Sequence, residues 1–157
     1  MPELVREIVL KYRMRKITEE ERENGYLNRV SNPYEAVNAV KDLADSGVEK
    51  FVCLFLNAKN KILVKQLINT GTVNRSMLIL REIFRFAIAC DAASIILAHN
   101  HPTGETTPSR EDKDCTEAIV KAGAYLDINI LDHLIVGRDL ETSEIRHFSF
   151  AENRLMQ

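Results

Sequence analysis

Ser94-Ile95-Ile96-Leu97-Ala98-His99-Asn100-His101-Pro102-Thr103-Gly104-Glu105-Thr106-Thr107-Pro108-Ser109-Arg110-Glu111-Asp112 holds a strand, a turn and a helix start in nineteen residues. Ser94 to Ala98 is a short apolar run of the kind that forms a buried strand. Pro102 ends it, Gly104 lets the chain turn, and Pro108-Ser109 opens a helix that runs through about Lys121. In an extended chain residues i and i+2 share a face roughly 6.5 Å apart. His99 and His101 therefore point the same way, and Asn100 points to the other face. Ser109 and Asp112 have N-cap and N3 spacing, which puts a carboxylate in the first helical turn, where it can swing back toward the histidines.

Two neutral imidazoles and one carboxylate make a three-ligand zinc (Zn2+) set of the catalytic kind, with a fourth position left for water. Such an ion lowers the pKa of bound water to about 7 and polarises a carbonyl oxygen, but a general base is still needed. Plainer readings exist at each position. A chain with four histidines acquires an H-x-H pair by chance at an appreciable rate. Asp112 and Ser109 also form a capping box worth about 1 kcal/mol to the helix. Spacing alone leaves both readings open.

Outward from this stretch, Phe51-Val52-Cys53-Leu54-Phe55-Leu56 predicts a first strand buried on both faces. A hairpin turn at Asn57-Ala58-Lys59-Asn60 connects it to Ile62-Leu63-Val64. Asn32 caps a helix with Pro33 in its first turn, expected from Pro33 to Ser46, and a second, mostly buried helix follows from Met77 to Ile88. Ile128 to Val136 and Ile145 to Phe150 are final strands. Ile8, Leu10, Tyr12 and Met14 alternate as an N-terminal strand, although Leu4, Val5, Ile8 and Tyr12 also fit a helical stripe, and Thr18 to Val30, with its solvated Glu19-Glu20-Glu21 run, is expected to be a loop or frayed turn. Mixed strands and helices place the chain in the α/β or α+β class.

With 157 residues, 45% hydrophobic and 28% charged, the chain is long and apolar enough for one self-sufficient domain. Lys+Arg 21 against Asp+Glu 23 leaves a net charge of -2, so no global field draws it to nucleic acid or to an anionic bilayer. Cys53, Cys90 and Cys115 are odd in number and lack a C-x-x-C, which argues against a disulfide framework and a thiolate zinc finger and suits a reducing cytoplasm. Charges at Glu3, Arg6 and Glu7 interrupt any signal-peptide core, and no window approaches the ~18 apolar residues of a membrane span. The expected location is cytoplasmic, with no membrane partner.

His99-Asn100-His101-Pro102-Thr103-Gly104 followed by Pro108-Ser109 and Asp112 resembles the H-x-H-x(10)-D signature of the JAB1/MPN+ (JAMM) metalloprotease superfamily, and the RadC-type bacterial branch in particular. The resemblance extends through Gly71-Thr72, Arg81-Glu82-Ile83-Phe84 and Leu131-Asp132-His133-Leu134-Ile135-Val136-Gly137, covering about Asn32 to Phe150. It implies a three-layer α/β/α cytidine-deaminase-like fold, a mixed β-sheet with flanking helices, over 32–157. Residues 1–31 are then an N-terminal strand and polar loop. It further implies zinc on His99, His101 and Asp112, Glu49 of Glu49-Lys50-Phe51 as proton shuttle, and Ser109 as a donor to the oxyanion.

Glu82 is the second choice for the base, although its place beside Arg81 suggests an ion pair. His133 is either a partner behind a ligand or, as favoured, a core histidine with both nitrogens satisfied; His147 is structural or exposed. Asn100 is free to tie neighbouring backbone. The implied activity is zinc-dependent hydrolysis of a peptide or isopeptide. The alternative is a DNA-repair or DNA-processing accessory role, supported by the family's traditional name and the cluster Lys11, Arg13, Arg15 and Lys16. The helix-hairpin-helix region of longer RadC-type proteins is not expected in the residues ahead of Asn32. A zinc deaminase needs H-x-E and P-C-x-x-C, and the chain has neither.

Overall fold

Unbroken apolar runs suit strands covered on both faces, and β1 (Lys50–Leu56) and β3 (Ser94–Asn100) are such strands in the computed structural model, which describes residues 15–23, 28–71 and 76–156. With β2 (Ile62–Thr70), β4 (Asn129–Arg138) and β5 (Ile145–Ser149) they form, among the described residues, a mixed sheet ordered β2-β1-β3-β4-β5. β1 is antiparallel to β2 and β3, and β5 is antiparallel to β4. β3 and β4 run parallel, so the chain must cross over between them, and helix α4 (Arg110–Tyr125) makes that crossing.

The twofold strand period sorts the core into two layers. Val52, Leu54, Leu56, Ile96, Ala98, Leu134 and Val136 face Ala36, Val40 and Leu43. Phe51, Cys53, Phe55, Ile95 and Leu97 face Ile79, Ile83 and Ala87 of α3 (Ser76–Ala89) and Cys115 and Ile119 of α4. Helical segments on both sides of one sheet make the expected three-layer α/β/α arrangement. Because His99 is two residues beyond Leu97, it joins the α3 and α4 side, while Asn100 joins the other.

Several local expectations change. Glu19–Glu23 is a short helix, α1, rather than loop: Thr18 Oγ1 accepts the Glu21 amide at 3.1 Å and Glu21 Oε2 accepts the Thr18 amide at 2.9 Å. This reciprocal capping was visible as Thr18-x-x-Glu21. The helix expected from Pro33 to Ser46 divides into α2 (Pro33–Ala39) and a 3₁₀ helix (Lys41–Asp45). Lys65 Nζ takes the Ala39 carbonyl at 3.0 Å, and the Leu43 amide bonds Val40 instead. Asn32 caps α2 as expected, accepting the Glu35 amide at 3.0 Å.

β2 continues six residues past Val64, to Thr70, as a half-exposed edge strand whose polar Lys65, Gln66 and Asn69 hid it from an apolar-run reading. α3 is amphipathic rather than mostly buried: Ile83 and Ala87 face the sheet, while Arg81, Arg85 and Ile88 are exposed. The strand expected from Ile8 to Met14 lies outside the described residues. Among the described residues no helix is long and apolar enough to cross a membrane.

Candidate metal centre

His99 lies one residue before the end of the wholly buried β3, and the ladder continues through His101, whose amide donates to the Val136 carbonyl at 3.0 Å. The loop then turns at Gly104, with φ +84, lying so close to β4 that a Cβ there would stand 2.4 Å from the Arg138 carbonyl oxygen. That close approach needs glycine. The chain re-enters regular structure at Ser109, the N-cap of α4. Ser109 Oγ accepts the Asp112 amide at 3.0 Å, and Asp112 Oδ2 accepts the Ser109 amide at 2.8 Å.

This capping box aims Asp112 back at the histidines. His99 Nε2 lies 3.1 Å from His101 Nε2 and 3.2 Å from Asp112 Oδ1, and His101 Nε2 lies 3.4 Å from Asp112 Oδ2. An ion bound tetrahedrally by bonds of about 2.0–2.1 Å separates its donor atoms by about 3.3 Å, close to these nearest contacts, although the two histidines approach different Asp112 oxygens. The capping and ligand readings of Asp112 are therefore compatible, since one carboxylate has two oxygens. His101 Nδ1 lies 2.7 Å from the Glu105 carbonyl, to which it donates, leaving Nε2 turned to the cluster. His99, His101 and Asp112 form a group able to hold a metal ion.

The electrostatics have the same origin. Burial pushes the Asp112 carboxyl up, but the adjoining His101 and His99 imidazoles and the hydrogen bond from the Ser109 amide outweigh it and hold the group well below the usual carboxylate range. Asp112 in turn raises the His101 imidazole, against burial and with help from the Glu105 carbonyl. Cys115, one turn from Asp112, has its thiol pushed up to about 11 by burial.

Behind the cluster His99 Nδ1 lies 2.8 Å from His133 Nε2, and His133 Nδ1 lies 2.6 Å from Thr116 Oγ1. His133 is thus both things the sequence allowed, a core histidine with both nitrogens bonded and a direct partner of His99. Burial holds its pKa well below the ordinary imidazole value. Phe51 stacks parallel to His99 at 6.0 Å, and Phe150 stacks on His133 at 4.7 Å. Thr116 escaped the sequence reading, although its position one turn beyond Asp112 on α4 was a usable signal.

Glu49 is half-buried just before β1. Phe51 pairs with His99 across the antiparallel ladder, so extending the register by two residues sets Glu49 opposite His101, and the Glu49 charge helps to raise that imidazole. Asn100 secures this edge: Oδ1 accepts the Lys50 amide at 2.8 Å, and Nδ2 donates to the Ser46 and Val48 carbonyls at 3.2 and 3.0 Å. Ser109 is exposed; its Oγ accepts from Asp112 and retains a hydrogen to donate. Glu82 pairs with Arg85 at 2.6 Å, not with Arg81. His147 packs edge-on against Tyr34. Of the basic cluster, Lys11 and Arg13 lie outside the described residues, and Arg15 is paired with Glu21.

A family model described as RadC-like JAB domain matches residues 30–155, most of the chain. The chain belongs to the RadC-like JAB domain family. A UPF0758 protein of Desulforamulus reducens is 46% identical over 104 residues, 66% of this chain and 46% of that protein. Another, from Caldanaerobacter subterraneus, is 40% identical over 124 residues, 77% of this chain and 53% of its own length. A third, from Methanosarcina mazei, is 39% identical over 116 residues, 69% of this chain and 51% of its own length. The chain spans about half the length of these relatives. In this RadC-like JAB domain the matched region includes the strand, turn and helix start that carry His99, His101 and Asp112.

Proposed function

We propose that the chain is a zinc-dependent hydrolase of the metallopeptidase or isopeptidase type. The observation that carries this reading is the convergence of two imidazole Nε2 atoms and one carboxylate, with nearest contacts of 3.1–3.4 Å, close to the donor separations of a tetrahedral ion. His99, His101 and Asp112 would hold the ion, a set of three protein ligands typical of zinc sites that act on substrates. When bound, zinc supplies Lewis-acid activation of a water and of an amide carbonyl.

The protein's own groups do the rest. The Glu49 carboxylate, opposite His101, takes the proton of the attacking water and then delivers it to the leaving amine. Ser109, at the mouth of the site, donates its hydroxyl hydrogen to the oxyanion that forms as the amide carbon becomes tetrahedral. Asp112 offsets charge on the ligand cluster and orients Ser109 through the capping box.

The test is Glu49→Gln, which preserves shape and removes the base. Wild-type and variant proteins are incubated with a peptide library and with isopeptide-linked lysine peptides, and new amino termini are read by mass spectrometry. Glu49→Gln is expected to keep its zinc and to lose cleavage by roughly 10²-fold or more. A variant that cleaves at the wild-type rate removes Glu49 from the mechanism.

A further inference from the structure

A buried row of polar atoms runs from His99 Nδ1 to His133 Nε2, then from His133 Nδ1 to Thr116 Oγ1, and on to the backbone carbonyl oxygen of Asp112, with spacings of 2.8, 2.6 and 2.6 Å. His99, His133 and Thr116 are all fully buried. Each contact needs one hydrogen, and the end of the row has no choice about direction. A carbonyl oxygen can only accept, and two oxygens 2.6 Å apart repel unless a hydrogen lies between them, so the Thr116 hydroxyl donates to Asp112. That hydroxyl has a single hydrogen, so it accepts from His133, whose Nδ1 carries the ring hydrogen.

His133 is enclosed and touches only a hydroxyl and another imidazole through its nitrogens, so the neutral ring with one hydrogen is the state its surroundings favour. Its Nε2 is then a lone pair, and His99 Nδ1 must donate to it. The remaining nitrogen of His99, Nε2, faces His101 and Asp112.

We propose that Thr116 and His133 are positioning residues that fix His99 with its hydrogen on Nδ1 and so present its Nε2 lone pair to the metal ligand set. α4 thereby acts on the centre twice, supplying Asp112 directly and orienting His99 through Thr116, one helical turn further on. The value of this arrangement to metal binding rests on the proposed metal centre, whereas the hydrogen's position is a property of the metal-free chain.

Removing the Thr116 hydroxyl leaves His133 Nδ1–H without its acceptor. The ring then does better with its hydrogen on Nε2, donating to His99 Nδ1, which sends the His99 hydrogen to Nε2 and blocks that atom as a ligand. Thr116→Val, of similar shape, is expected to weaken zinc binding about 10–100-fold, and Thr116→Ser to restore it.

Zinc affinity is measured for wild type and both variants by competition with a chromophoric chelator, after circular dichroism has established that each is folded. The imidazole 15N spectrum of the metal-free wild type shows whether His99 Nδ1 carries a hydrogen, independently of any variant. The expected results are Nδ1–H on His99 in wild type and weakened binding in Thr116→Val with recovery in Thr116→Ser. Unchanged affinity in Thr116→Val, failure of Thr116→Ser to recover, or a His99 Nδ1 without a hydrogen in the metal-free wild type overturns the proposal. A wild type that takes up no zinc counts against the metal centre, and the tautomer then decides the role of Thr116 and His133 alone.

Discussion

Both carboxylate oxygens of Asp112 are occupied, Oδ2 by the Ser109 amide and Oδ1 by the approach of His99, so substitutions there separate helix capping from charge. Asp112→Asn retains an amide-accepting oxygen and is expected to lose metal while keeping most of the cap. Asp112→Ala loses both and should unfold more easily, by about 1 kcal/mol in chelator. Thermal melts of the two variants with and without zinc make the distinction; equal melting in chelator denies the cap its role. Asn100 offers a second separation. Asn100→Ala strips three bonds to the backbone beside Glu49, with an expected cost of about 1–3 kcal/mol and reduced cleavage at full zinc content. Wild-type turnover in that variant would show that Glu49 does not depend on it. Among residues, the grouping of His99, His101 and Asp112 was legible as a possibility from one short local segment, and the resemblance decided between the metal and the plain readings. Glu49 entered by resemblance alone, since only the β1 and β3 register brings it to His101. The His133 contact, spanning 34 residues, could not be read from either segment.

The β3 to α4 loop depends on its contact with β4. A Cβ on Gly137 would stand 2.7 Å from the Gly104 carbonyl oxygen, against backbone that cannot swing aside as a side chain can. Gly137→Ala should therefore displace the loop joining His101 to Asp112, costing about 1–3 kcal/mol and weakening zinc uptake. Calorimetry and zinc titration check both effects, and two unchanged values would mean that the loop tolerates the shift. In the β4 to β5 hairpin, Asp139 accepts the Thr142 and Glu141 amides at 2.9 and 2.8 Å and pairs with Arg146, which holds its carboxyl below the ordinary range. Its folded pKa is lower than its unfolded one. The stabilisation is thus present above about pH 4 and is lost as pH falls through the folded pKa. The melting-temperature gap between wild type and Asp139→Asn should shrink on acidification, and a gap that widens instead would reverse this assignment. Elements bounded by strong local signals, such as the Ser109 cap and the apolar β1 and β3 runs, were legible. The division of the helix after Ala39 was not, because a lysine 26 residues away draws off its carbonyl.

For the whole molecule, the two-sided core follows from strand periodicity, with Val52, Leu54 and Leu56 on one layer and Phe51, Cys53 and Phe55 on the other. The same alternation puts His99 among the residues facing α4, so the sheet places one ligand while α4 places another. Because the three ligands come together only in the folded chain, zinc binding is linked to stability. A hundredfold excess over Kd adds about 2.7 kcal/mol, or roughly 5–10 °C for a domain of this size. The direct test of the central claim is zinc content by elemental analysis, paired with thermal melts, for wild type, His99→Ala and Asp112→Asn. One zinc per wild-type chain with a raised melting temperature is expected, and neither zinc nor a shift in the variants. Full zinc retention in both variants would contradict it.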